Sequence, residues 1–235
     1  KGARHIIVPS DYMKGVVGAW GVAQNYITRI YSVLKEIHTD TTDATAFNPL
    51  TDTFRITTSA RLVPWKGIDT LIDVVSTLKK EGYNVSLNIY GDGVKRKDLE
   101  AQVDALGARS FVTFHGAVTR EVLGPALQSS HAFVLNTSYE GLSHQLIEVM
   151  SLGVPIITTP VGGNIELIHH EKTGLLFSYN NAEALREAIV RLRQDGGLRG
   201  SLSREAKVKV RDFTEEVIVK ELAGFFSKLT REYGS

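Results

Sequence analysis

The chain has 235 residues, 43% of them apolar, no cysteine and a formal net charge of +1, enough apolar content for one large or two small cores. The near-zero charge removes the electrostatic case for a dedicated nucleic-acid or polyanion binder. Without cysteine there is no disulfide framework, zinc–thiolate site or thiol nucleophile, which fits a reducing, cytoplasmic setting.

His5-Ile-Ile-Val-Pro-Ser10 reads as a strand leading into a helix over about residues 12–21, with a short extended piece over 27–31. The start, Lys1-Gly-Ala-Arg4, lacks the flanks of a signal peptide and reads as mid-protein. Thr39-Asp-Thr-Thr-Asp-Ala-Thr45 has no apolar period and reads as a linker. The expected division is therefore residues 1–48, one βα unit plus a linker, and residues 49–235, a second domain.

From residue 54 onward strands alternate with helices. Arg55-Ile-Thr-Thr-Ser59 is strand-like, and Ile68, Leu71, Ile72, Val75 and Leu78 recur at helical spacing up to Gly82. Val85, Leu87 and Ile89 alternate as a strand, Leu99, Val103 and Leu106 mark a helix, residues 111–114 a strand, and Val122, Leu123 and Leu127 a helix. Ala132-Phe-Val-Leu135 is too short for a helix and suits a strand buried on both faces. A helix over 142–152 should stop at Gly153-Val-Pro155. There follow a strand at Ile156-Ile157, a short helix over 165–168, the extended Leu175-Leu-Phe177, a helix over Ala182–Gln194 and a long helix over 213–233. The alternation predicts a doubly wound parallel α/β sheet of Rossmann type. No apolar run approaches the roughly 20 residues of a membrane span.

Ligands of such sheets sit beyond the carboxyl ends of the strands. Segments near residues 61, 91, 116 and 140 all follow predicted strands, so one crevice can collect them. The most informative is Tyr139-Glu-Gly-Leu-Ser-His-Gln-Leu-Ile-Glu148, where a buried strand runs into a helix start flanked by two carboxylates. The helix amides there carry about half a positive charge and suit phosphates, and carboxylates on each side suit sugar hydroxyls.

This stretch resembles the donor-site signature of the retaining glycosyltransferases of family 4, which have the GT-B fold of two facing Rossmann-like domains. Ser59-Ala-Arg-Leu-Val-Pro-Trp-Lys-Gly67 resembles the family's Gly-Arg-Leu…Lys-Gly turn. Tyr90-Gly-Asp-Gly93, Val112-Thr-Phe-His-Gly116 and Val161-Gly-Gly-Asn-Ile-Glu166 stand in the family's order, so the likeness covers roughly residues 50 to 180. It implies that this chain is the C-terminal, nucleotide-sugar-binding half of such an enzyme, with residues 1–48 a remnant of the N-terminal acceptor-side domain plus the hinge at the linker, and the last helix crossing back to the first domain. Asp43 and Phe47 fit the family's hinge, whereas Asp40-Thr41 replace its Asn-Gly. It also implies catalytic roles for Arg61, Lys66 and Glu140, the two bases contacting the donor diphosphate and Glu140 the sugar. Glu148 would hold the donor ribose, and Gly91, Gly116, Val118, Gly141, Leu142, Ser143 and His144 would complete the donor site. The family prefers Gly or Pro where Ser143 stands. The substrate implied is a nucleoside diphosphate sugar, with no cofactor, no metal and no enzyme nucleophile. The acceptor would be a saccharide or a lipid-linked one, and the full enzyme would be cytoplasmic, with a peripheral membrane contact in reach.

Plainer readings stand beside these. Arg61 and Lys66 can be solvated charges, Glu148 an exposed helix residue, and Glu140 or Glu166 a helix-start carboxylate. Gly91-Asp-Gly93 lacks the third glycine of a dinucleotide fingerprint, since Arg96 stands there, and reads as a plain turn. Gly162-Gly163-Asn164 reads equally as a ligand cradle or a turn. The seven histidines show no metal-ligand spacing. Arg204, Lys207 and Arg211 share a helical face that suits solvent or anionic lipid. Two rival functions remain: a glycoside hydrolase using Glu140 and Glu148, which about 12 Å of helical rise would hold too far apart, and a non-catalytic nucleotide- or sugar-binding module.

Overall fold

The computed structural model describes residues 5–33, 47–49 and 51–233. Most of the expected linker, with Asp40, Thr41 and Asp43, lies outside the described residues.

The first unit is small. Strand β1 (Ile6–Val8) leads into helix α1 (Asp11–Ala19), and β2 (Ile27–Arg29) pairs parallel to β1. The expected strand and helix are both present, and the extended piece near residue 27 gives β1 a partner.

The rest is one six-stranded parallel sheet. Its strands are β3 (Phe54–Ser59), β4 (Val85–Tyr90), β5 (Val112–Gly116), β6 (Ala132–Leu135), β7 (Ile156–Thr158) and β8 (Leu175–Leu176). They lie in the order β5-β4-β3-β6-β7-β8, the doubly wound order in which successive strands are added first on one side of β3 and then, from β6, on the other. Here that switch point lies between β3 and β6.

Burial of both sheet faces explains the continuous apolar strands. In β6, Ala132 and Val134 join one core while Phe133 and Leu135 join the other, so all four are buried with no polar alternation. The first core is closed by α2 (Ile68–Lys80), α3 (Arg96–Ala105) and α7 (Ala182–Gln194). The second is closed by α4 (Arg120–Gln128), α5 (His144–Leu152) and α6 (Asn164–Leu167). Fully burying one such Leu, Ile or Phe side chain contributes about 1.5–3 kcal/mol.

Three elements depart from the sequence reading. Helix α5 begins at His144, two residues later than expected, because Ser143 caps it: the Ser143 hydroxyl accepts from the Leu146 amide at 3.3 Å. Helix α8 (Gly196–Lys209) is longer than the helical face of Arg204, Lys207 and Arg211 suggests, and its first half has no counterpart in the sequence reading. It is capped by Asp195, whose carboxylate accepts from the Leu198 amide at 2.8 Å. The tail is divided, with a 3₁₀ turn over Val210–Phe213 and then α9 (Glu215–Tyr233). Helix α9 does return to the first unit: Phe225 meets His5 edge-on at 4.9 Å, and Glu221 lies 3.7 Å from Arg29. No helix among the described residues is long and apolar enough to cross a membrane.

Candidate functional site

At the switch point an open crevice of about 490 Å³ lies beyond the ends of β3 and β6. Ser59, Ala60 and Arg61 form one wall, Leu135, Glu140 and Leu142 the other, and Lys66 reaches in from the β3–α2 loop. The first turn of α5, His144 and Gln145, also faces the crevice, so the positive end of that helix dipole lies at it.

The charges are arranged around one ion pair. Lys66 Nζ donates to Glu140 Oε2 at 2.7 Å, and their side chains are only 14% and 21% exposed. Arg61 is exposed and makes no ion pair among the described residues. An anion entering here meets one uncommitted guanidinium, a helix N-terminus, and an ammonium with two further N–H donors.

The loops that carry these groups are fixed by close backbone approach. Gly91 has φ of +122°, and a side chain there would place Cβ 1.9 Å from the Ala60 carbonyl oxygen. The Leu62 amide also donates to the Asp92 carbonyl at 2.9 Å. The Gly91-Asp-Gly93 segment is thus a packing turn that props the Arg61 loop, and Gly91 and Asp92 still line the crevice. Gly162 plays the same part for Glu140: with φ of +54°, its Cβ would lie 1.7 Å from the Glu140 carbonyl oxygen. The Gly163 amide donates to that oxygen at 3.1 Å. The Gly162-Gly163 segment therefore supports the Glu140 loop from behind.

Sequence reasoning missed Asn136, which is 2% exposed at the end of β6. Its Nδ2 donates to the Gly67 carbonyl at 2.9 Å and to Asn180 Oδ1 at 2.8 Å, and its Oδ1 accepts from the Asn180 amide at 3.1 Å. One buried amide thus ties the residue after Lys66 to the β8–α7 loop. The only local signal was a polar residue directly after a fully apolar strand.

Not every expected donor residue meets at the crevice. Gly141 packs beside Met13 of α1. Gly116 ends β5 and accepts from the Gly91 amide at 2.7 Å, and Val118 packs against the second core. Glu148 borders a separate depression of about 220 Å³ between α4 and α5. There its carboxylate accepts from Gln145 Nε2 at 3.2 Å and lies 3.8 Å from Arg120 Nε. Glu140 and Glu148 therefore do not flank one bond, which removes the geometric basis of the hydrolase reading. Ser143 does line the crevice, while its Oγ accepts from the Leu146 amide as the helix cap. Lys207 lies over Gly153, where an added Cβ would fall 2.4 Å from its stem; it does not extend with the exposed Arg204 and Arg211. Among the described residues no three His, Asp or Glu side chains converge as metal ligands.

The family profile of glycosyl transferases group 1 matches residues 40–209. The chain belongs to that family. The lipopolysaccharide core biosynthesis glycosyltransferase LpsD of Rhizobium meliloti is 33% identical over 178 residues, 75% of this chain and 50% of that protein. The capsular polysaccharide biosynthesis glycosyltransferase CapM of Staphylococcus aureus is 29% identical over 188 residues, 78% of this chain and 48% of that one. This group 1 chain thus spans about half the length of the relatives it matches. Among solved structures, Anabaena HepE in complex with UDP-glucose superposes with a TM-score of 0.83 at 20% identity, covering 97% of this chain and 65% of that chain. At that identity the likeness establishes the shared fold.

Proposed function

We propose that this chain is the donor half of a retaining, metal-independent glycosyltransferase of the GT-B fold. It binds a nucleoside diphosphate sugar in the crevice between β3 and β6. The observation that carries the reading is the convergence of Arg61, the Lys66–Glu140 pair and the α5 N-terminus at the topological switch point.

In this reading the bond between the anomeric carbon and the diphosphate oxygen breaks, one to the acceptor oxygen forms on the same face of the sugar, and the acceptor hydroxyl's proton leaves with the diphosphate. Arg61, Lys66 and the α5 amides offset the charge growing on the departing diphosphate, the role a metal ion fills elsewhere. Glu140 contacts the sugar ring, and Lys66, set by its own β3–α2 loop, reaches the adjoining phosphate. Glu148, one helical turn further along α5 from the crevice, accepts the ribose hydroxyls once Arg120 moves aside. The names of the relatives in lipopolysaccharide and capsule synthesis favour a saccharide or lipid-linked acceptor, and HepE's complex favours a uridine donor. The acceptor wall belongs to the other domain, of which residues 5–33 are a part.

Titration with uridine, guanosine and adenosine diphosphates tests the reading, with micromolar to low-millimolar binding of at least one expected and none for any of the three contradicting it. With the whole enzyme, NMR of the product sugar should show the donor's anomeric configuration kept; inversion would overturn the retaining assignment.

A further inference from the structure

A closed ring of hydrogen bonds joins the first unit to the loop that carries Glu140. Ser10, fully buried at the N-cap of α1, donates from Oγ to the Gly141 carbonyl at 2.7 Å and accepts from the Met13 amide at 3.1 Å. Glu166, on α6, accepts the Asp11 amide on Oε2 and the Tyr12 amide on Oε1, both at 3.0 Å. The Tyr31 hydroxyl adds a third donor to the carboxylate, on Oε2 at 3.1 Å. On the other side of the loop, the Gly163 amide holds the Glu140 carbonyl at 3.1 Å.

A helix start leaves about four amides unpaired. Here three of them are taken, two by a carboxylate 155 and 154 residues further along the chain. A carboxylate at that position is favoured by the helix dipole and by charge-assisted bonding. The carbonyls of Glu140 and Gly141 are thus gripped from opposite sides, by the α6 turn and by the α1 cap, and Glu166 fastens those two holders to each other. Tyr31 stays a neutral donor across the physiological range, because burial, followed by the Glu166 charge, pushes its phenol up to about 12.

We propose that Ser10 and Glu166 are positioning residues for Glu140, so that the first unit forms part of the sugar end of the donor site. The proposal rests on the donor-site reading above. It separates two functions within one crevice: the diphosphate end, carried by Arg61, Lys66 and the α5 start on their own loops, does not depend on the ring, whereas the sugar contact of Glu140 does.

The test is calorimetric titration of the wild type, Ser10→Ala and Glu166→Gln with two probe pairs, UDP and UDP-glucose, then GDP and GDP-mannose. Glu166→Gln keeps the side-chain shape and one acceptor while placing an N–H against an amide donor. Any general loss of folded protein weakens both members of a pair equally, so the ratio of their affinities reports on positioning alone. The expected result is a fall in that ratio of about two- to tenfold in either variant, the loss of one hydrogen bond, with diphosphate affinity unchanged. An unchanged ratio in both variants overturns the proposal. A wild type that binds neither pair overturns the donor reading instead. Hydrogen exchange then decides the positioning claim without a ligand: the Gly163 amide and residues 139–142 should exchange faster in both variants than in the wild type, and equal rates would refute it.

Discussion

The Lys66 ammonium and the Glu140 carboxylate occupy one contact, although 74 residues of chain separate them. Sequence singled out both as ligand groups, each beside a strand-to-helix turn, but nothing local states that they touch. Glu148 raises a different matter, because Gln145 meets one of its oxygens and Arg120 faces the other. A carboxylate that accepts two vicinal hydroxyls loses a bond when either is absent, so a deoxyribose diphosphate should bind the wild type less tightly than its ribose counterpart. Glu148→Gln should shrink that discrimination and leave phosphate binding in place. Equal affinity of the two ligands for the wild type would remove Glu148 from the ribose. Away from the crevice, His131 stacks on Phe54 and beside Phe47, and its Nδ1 accepts from the Arg55 amide at 2.9 Å. Burial first, then the Arg55 and Arg199 charges, lowers its pKa from 6.5 to about 4. The unfolded chain therefore binds the proton more readily, so this contribution to stability is complete above about pH 6.5 and is lost as pH falls toward 4. Replacing the ring by His131→Asn, whose Oδ1 can stand where Nδ1 does, should flatten that slope. Denaturant midpoints at about pH 7 and pH 4.5 measure it, and an unaltered slope would assign the acid sensitivity to other groups.

The loops are where packing decides function. Asn136 holds the Gly67 carbonyl and Asn180, so Asn136→Ala leaves buried backbone groups unpaired, a cost of about 1–3 kcal/mol. It should lower the unfolding midpoint and also weaken diphosphate binding through a displaced Lys66. Lowered stability with wild-type affinity would make Asn136 purely structural. The strands and the amphipathic helices were legible because they bury apolar side chains at regular spacing: Ile68 to Leu78 and Ala132 to Leu135 appear as expected. The first half of helix α8 was not legible, since Gly196, Gly197 and Gly200 argue against a helix and the buried face of α8 includes Arg199 and Ser203. Arg199 is tolerated there because its guanidinium donates to the Leu192 and Arg193 carbonyls that end α7. The Ser143 cap moved the α5 start for a similar reason, a side-chain bond that no apolar period reveals. The Gly162-Gly163 turn was ambiguous in sequence because the atom it must avoid, the Glu140 carbonyl oxygen, lies on a loop distant in the chain.

At the scale of the molecule, the crevice is one open wall. Transfer needs water excluded and the acceptor oriented against the donor, which makes the reaction effectively intramolecular. Among the described residues the first unit contributes α1, a 3₁₀ turn over Gln24–Tyr26 and a two-stranded sheet, with Trp20 73% exposed, and α9 leaves Val219 and Phe226 more than half exposed. The 235 residues should therefore bind donor yet transfer no sugar at a useful rate, whereas a longer protein carrying the facing wall should do so with the same acceptor extract. Equal turnover by the two would locate the whole catalytic site within these residues. The central claim, that the crevice between β3 and β6 is a diphosphate site, is tested most directly by calorimetry of the tightest-binding nucleoside diphosphate against the wild type, Arg61→Ala and Lys66→Ala. Each substitution removes one charge-assisted contact and should weaken binding about ten- to hundredfold. Wild-type affinity in both variants would contradict the assignment of this crevice.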